Sequence, residues 1–407
     1  MKKAGIIFLV FINISFSQTK YYRFDISEGT NSLFTMNQFN NLVLNGYRIG
    51  FGQIDYEKLT KKEKIIINSS QLLISGLLAL PLTHEEGHRS VLTNLDIGSI
   101  SAPYIDLKGV AKVIGVTDLI LKDLRDTNLP NYIRLHNAGL ESDFDYLKKS
   151  DALFNFKEEE SNVLYNDYFI RKLSISTYYL ATLIHNKTGI KESDTPELKK
   201  DIVGHDIFGM IRHLHRPDME FKRYTEWDDL TSEEKKYGKR IGLMSLFNYA
   251  NPNLWRKSNY KLSENIDFNF SLNYSLAPFG DFIEQNAYLN IKKKWKINPY
   301  IRQYFNKKNT FWASGIHLHN FVLNKNFLVN SSIEAWEQPK DQSFTTSDSD
   351  FGIGIKAEIA YSLLEVKKSN IFFNIGTSYK TKGFIPASPS LDKDFRANFG
   401  LIIATSK

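Results

Sequence analysis

The chain contains no cysteine. That absence excludes disulfides, thiolate metal sites, a cysteine nucleophile and a lipid-anchoring cysteine. Proline (11) and glycine (23) are too sparse among 407 residues for a collagen-like or low-complexity chain. Charge of one sign is also nearly lacking. The 52 Lys and Arg exceed the 45 Asp and Glu by only seven, in scattered lysine clusters, so nucleic acid is not an expected partner. Aromatic residues are abundant, with 21 Tyr and 29 Phe, and their spacing carries more information than their number.

The first residues have the pattern of an export signal. Met1-Lys2-Lys3 is a basic start, Ala4 to Ile14 is an apolar run too short to span a bilayer, and Ser15-Phe16-Ser17 offers small residues to a signal peptidase. Cleavage before Gln18 and an exported protein are the expectation.

The remainder follows two periods. From Tyr21 to Trp255 the pattern is mainly helical. Apolar residues recur at three- and four-residue spacing over 117–125, 132–147, 163–185 and 201–215. Ile65–Leu82 is apolar almost all round. Asn68, Ser69, Ser70 and Gln71 interrupt it and Pro81 follows, so it is read as a buried core helix that ends at the proline. His185 is expected to cap the helix that it ends.

After Leu262 the period becomes two. Phe268, Phe270, Leu272, Tyr274 and Leu276 alternate with Asn269, Ser271, Asn273 and Ser275, and the same alternation recurs in eight runs: 264–276, 283–292, 295–306, 310–323, 326–338, 349–362, 369–381 and 394–405. Most are long enough for a tilted strand to cross a bilayer. Connections alternate in length, with short ones at 292–294, 323–325 and 365–369 and the two longest at 339–349 and 381–394. Short turns at one end and long loops at the other fit an outer-membrane barrel, and so does an apolar face rich in aromatics opposite a face of Gly, Asn, Ser, Lys and Glu. His317 and His319, two apart on one strand, are expected to line its interior.

One motif carries chemistry. His84-Glu85-Glu86-Gly87-His88 fits H-E-x-x-H. On a helix, residues four apart share a face, so both imidazoles can address one ion, while Glu85 stands beside the remaining coordination position. A catalytic zinc has three protein ligands and a water, so a third ligand is expected downstream. His136 and Asp143 are candidates for it. In a second cluster, from His205 to Pro217, Arg212, His213 and His215 are candidate donors to a developing oxyanion.

The motif resembles that of the zincin metallopeptidases, over roughly Leu72 to Lys149. The downstream glycine and extra histidine of the metzincins are absent at their spacing. Gluzincins place a third ligand and a helper in E-x-x-x-D, and the resemblance therefore implies Glu141 as zinc ligand and Asp145 as the residue that orients a ligand histidine. The resulting expectation is an α+β multidomain protein. A signal peptide, 1–17, precedes a mainly α-helical zincin-like domain, 18–262, and an eight-stranded antiparallel, transmembrane β-barrel, 263–407. The function implied is a Zn2+-dependent metallopeptidase with Glu85 as general base, acting on a protein or peptide substrate. It would be held in outer-membrane lipid with its N-terminal domain in the periplasm. Two alternatives stand beside it: a non-enzymatic pore or adhesin with a degenerate zinc domain, and an inner-membrane zinc protease in which Ile65–Leu82 spans the bilayer.

Overall fold

The structure, a computed structural model, describes residues 19–28, 35–106, 109–184, 194–257 and 259–406. The export signal at 1–17 and the cap assigned to His185 lie outside these residues.

Helix α1 (Met36–Gly52) begins at a Thr35/Gln38 capping box and α2 (Lys61–Ile74) at a Thr60/Glu63 box. A π turn, Ser75–Ala79, joins α2 directly to α3 (Leu80–Asn94). Pro81 does not end the helix as its type suggested. The Leu80 N–H reaches back five residues to Ser75, and the widened turn leaves Pro81, which has no N–H to offer, in the first turn of α3. The hairpin of β2 (Ile100–Asp106) and β3 (Gly109–Ile114) follows, with Val113 packed among Val91 and Leu92 of α3. Helices α4 (Asp118–Thr127), α5 (Leu129–Asn155), α6 (Ser161–Leu180), α7 (Asp206–His215) and α8 (Ser232–Met244) complete the helical part. The periodicity from residue 201 becomes helical only at Asp206, because Gly204, at φ 69°, turns the chain first.

All eight alternating runs are strands: β5 (Ile266–Ala277), β6 (Gly280–Ile291), β7 (Trp295–Phe305), β8 (Thr310–Asn324), β9 (Phe327–Pro339), β10 (Ser349–Val366), β11 (Ser369–Lys380) and β12 (Asp394–Ser406). They form an antiparallel meander, so the protein is α+β. The sheet has ten strands rather than eight. β4 (Tyr260–Ser263) adds to β5, and β1 (Thr19–Glu28) pairs with β12 from Thr19↔Ser406 to Glu28↔Ala397. A segment that precedes every helix thus belongs to the sheet. Its edge strands are β1 and β4, and among the described residues they do not pair with each other, so strand pairing alone does not close a barrel.

The two faces of the sheet are inverted relative to a soluble β protein. Outward residues on β10 (Phe351, Ile353, Ile355, Ile359 and Tyr361) are 38–80% exposed. Inward residues are polar and buried: Asn269, Ser271, Asn273 and Ser275 on β5, Glu284 on β6 and Arg302 on β7. Their charges are paired, as burial demands. Glu284 Oε2 accepts from Arg302 Nη2 at 2.5 Å, and Glu284 Oε1 lies 2.9 Å from Lys148 Nζ of α5.

Helix α5, 27 residues and about 40 Å long, lies along this inner face. Phe144 packs on Phe282, and Asn155 near its end accepts from Asn269. A cavity of about 390 Å³, lined by α1, α5, β1 and β7 through β12, separates helices from sheet, and His317 and His319 line it as expected. The helices therefore rest against the inside of the sheet. The long connections also fold inward. Phe344 sits 4.8 Å from His215, and the carbonyls of Ser388 and Pro389 accept from Arg134 of α5.

The apolar segment Ile65–Leu82 is not buried. Ile65, Ile66, Leu73, Ile74, Leu77 and Leu78 are 41–62% exposed, and the continuous helix Lys61–Asn94 is long and apolar enough to cross a membrane.

Helices α3 and α5 meet at two glycines. A Cβ at Gly87 would strike the Ala138 carbonyl and a Cβ at Gly139 would strike the His84 ring. Gly87→Ala is expected to push the helices apart and to lower stability by about 1–3 kcal/mol in chemical denaturation.

Candidate metal centre

The close approach of α3 and α5 sets the geometry. Ser142 Oγ of α5 donates to the Thr83 carbonyl at 2.7 Å, which fixes the register just before the motif. His84 and His88, one turn apart, then lie with ring centroids 5.2 Å apart. Each ring is committed through Nδ1. His84 Nδ1 lies 2.8 Å from Asp143 Oδ2, and His88 Nδ1 lies 2.7 Å from the Leu135 carbonyl. A carboxylate and a carbonyl only accept, so both Nδ1 atoms carry the proton and both Nε2 atoms, in the neutral rings, present lone pairs.

Those Nε2 atoms face a third acceptor. Asp206 Oδ2, at the N-terminus of α7, is 3.0 Å from His84 Nε2 and 3.6 Å from His88 Nε2. His84, His88 and Asp206 are the residues that could hold a metal ion together among the described residues. Three converging acceptors repel unless protons or a cation lie between them. The donor set of two imidazoles and one carboxylate, with each imidazole oriented through its far nitrogen, matches a zinc site. Without a cation, protons take that place: against the effect of burial, Asp143 and Asp206 raise the His84 pKa and Asp206 raises that of His88, and the protonated rings in turn hold the Asp206 carboxyl well below the usual range. The Asp206 N–H donates to Tyr178 Oη at 3.1 Å, so the tyrosine anchors the carboxylate-bearing turn.

Glu85 follows His84 and stands among Asp201, His88 and His84. It is partly exposed, unlike His88 and Asp206, which are buried.

Several expected site residues lie elsewhere. Glu141, expected as the third ligand, lies outside the group formed by His84, His88 and Asp206. It pairs with Arg134 at 2.6 Å and accepts the Ala387 N–H at 2.7 Å, docking the 381–393 connection onto α5. Asp145 orients no histidine; Asn37, Asn40 and Lys149 bind it. Its expected role falls to Asp143. Two residues along an α-helix are about 200° around the axis, so Asp143 and Gly139 face α3 while Glu141 and Asp145 face the sheet side.

Arg212 and His213 do not reach the metal position. They lie six and seven residues beyond Asp206, about 10 Å along α7. Arg212 donates to the Glu220 carbonyl and His213 Nδ1 to the Gly209 carbonyl. His213 stacks on His136 at 5.3 Å, and burial pushes its pKa down to about 4, which keeps it neutral. His215 turns toward Tyr237 and Phe344. His136, the rival third ligand, is fully buried beside the Gly209 backbone and outside the ligand group. Asp206 and Tyr178 are the site residues that spacing did not supply, and Asp143, a candidate ligand from the sequence, instead bonds His84 Nδ1.

Purified protein loaded with zinc is expected to hold one ion per chain by elemental analysis, with binding lost in Asp206→Ala and in His88→Ala. Glu141→Ala is expected to keep the ion. Because it strands the Arg134 charge, it should lower stability by about 3–5 kcal/mol in denaturant titration. A scan against protein-family models and a search of curated proteins found no match to this chain, so the chemistry of the site rests on its geometry.

Proposed function

We propose that the chain is a zinc-dependent metallopeptidase whose sheet is embedded in the outer membrane. The observation that carries the catalytic reading is the meeting of the Nε2 atoms of two imidazoles and the Asp206 carboxylate at one point, beside Glu85. His84, His88 and Asp206 would hold the ion. Zinc bound there supplies a Lewis acid for a peptide carbonyl and lowers the pKa of a bound water.

The remaining work belongs to side chains. Burial and the neighbouring Asp201 push the Glu85 pKa up to about 8, so its ionised form grows as pH rises through that value. In that form it takes a proton from the attacking water onto a carboxylate oxygen and later gives it to the nitrogen of the departing amine. Asp143 keeps the proton of His84 on Nδ1, and the Leu135 carbonyl does the same for His88, so both rings offer Nε2 throughout. Tyr178 accepts the Asp206 N–H, which leaves its own hydroxyl proton available beside the site. The membrane reading is supported by the outward apolar face of the sheet, its inward polar face, and short turns at one end opposite an end that carries the two longest connections, β9–β10 and β11–β12.

Hydrolysis of a peptide library by the zinc-loaded protein tests the reading. Glu85→Gln is expected to retain zinc and lose about 10²–10⁴-fold in kcat. Asp143→Asn is expected to weaken zinc binding by about 10–100-fold while the ligands stay in place. Unchanged turnover in Glu85→Gln would exclude this residue as the base.

A further inference from the structure

The ten-stranded sheet is open, and an open sheet edge is not tolerated in hydrocarbon, where no water can satisfy its backbone groups. Side chains from helical segments reach backbone groups near both edges. On β1, the Tyr21 carbonyl accepts from Arg48 Nη1 at 2.8 Å and the Arg23 carbonyl from Asn45 Nδ2 at 2.6 Å, both donors being on α1. On β5, beyond the short β4, the Asn248 amide meets both backbone groups of Tyr274. It accepts the N–H at 2.9 Å and donates to the carbonyl at 3.3 Å, as a neighbouring strand would.

The helices continue from one edge to the other. Leu44 of α1 packs with Leu164 of α6, Gln71 of α2 donates to the Asn162 carbonyl, and Tyr165 of α6 donates to the Leu254 carbonyl, near Asn248. Their outer surfaces are apolar in the same sense as the sheet. Leu42 on α1, Leu73 and Leu77 at α2 and its π turn, and Leu173 on α6 are all 40–58% exposed, whereas the exposed face of α8 carries Glu233, Lys236 and Lys239 beside Leu243. The exposed apolar stretch from Ile65 to Leu78 rises about 20 Å at 1.5 Å per residue, close to the ~25 Å band of an outer-membrane barrel. It begins just after the charged run Lys61-Lys62-Glu63-Lys64, which is suited to a membrane–water boundary.

We propose that α1, α2 and α6 complete the wall that the strands leave open, so that lipid chains contact strands and helices alike. On this arrangement α3, which continues the lipid-facing helix into the H-E-x-x-H motif, holds the metal centre inside the embedded body and not in a separate periplasmic domain. The proposal rests on the membrane reading above and goes further by assigning the helical surface to lipid.

The lack of cysteine allows a direct test by spin labelling. Leu73→Cys, Leu77→Cys and Leu173→Cys on the helices, Ile359→Cys on the sheet and Lys61→Cys at the boundary are all exposed positions, where a label disturbs no packing. The full chain is reconstituted in phosphatidylethanolamine/phosphatidylglycerol vesicles, and collision of each label with oxygen and with a water-soluble nickel chelate is measured. Helix labels that match Ile359→Cys, with a higher oxygen-to-nickel ratio than Lys61→Cys, bear the proposal out. Helix labels open to nickel while Ile359→Cys stays in lipid would overturn it and leave the membrane reading intact. Nickel access at Ile359→Cys as well would overturn both. Helix labels shielded from both reagents and broadened by spin–spin coupling would assign that surface to a second copy and overturn lipid as its occupant.

Discussion

The Nε2 atoms of His84 and His88 and the Asp206 carboxylate can share one buried point only with positive charge among them, supplied by protons on the rings or by a cation, and this constraint organises the helical half of the molecule. Asp143 and the Leu135 carbonyl settle which nitrogen of each ring carries its proton. Gly87 and Gly139 permit α3 to approach α5 closely enough for those contacts to form. Gly204 then turns the chain so that α7 starts at Asp206 and delivers its carboxylate to the gap. Removal of any one of these would leave a buried acceptor without its partner, which is costly in a low-dielectric interior.

The sheet follows a complementary rule. Its buried face carries Asn, Ser, Glu and Arg, which remain affordable only because they pair with one another and with α5, as Lys148 and Arg302 do on Glu284. Its outer face is apolar where a soluble protein would be polar. The outer faces of α2 and α6 are apolar as well, although the helices, unlike the sheet's inner face, also pack on one another through buried apolar side chains.

The strands were legible because a period of two with one apolar face is a local property of the chain, and each of the eight runs returns as a strand. The segment Thr19–Glu28 alternates less cleanly, and its partner lies at the far end of the chain, so its place in the sheet was not visible. The H-E-x-x-H pair was likewise legible from helical geometry alone. The third member of the cluster was not, because Asp206 reaches the two histidines through the packing of α7 on α5, with Gly209 against His136. Analogy pointed to Glu141 and Asp145, whereas helix phase brings Asp143 to the site instead. The small residue Gly139 one turn before Asp143 was the available clue, since a close helix crossing needs such a position. The exposure of Ile65–Leu82 was misjudged because its polar residues suggested a protein interior. Of these, Gln71 does turn inward, while Asn68 and Ser69 stay on the surface.

The most direct test of the central claim is a crystal structure of the zinc-loaded protein with anomalous data collected at the zinc edge. The account predicts one strong peak about 2.0–2.2 Å from Nε2 of His84, Nε2 of His88 and an Oδ atom of Asp206. A peak bound by Glu141, or no peak between the two imidazoles, would contradict it.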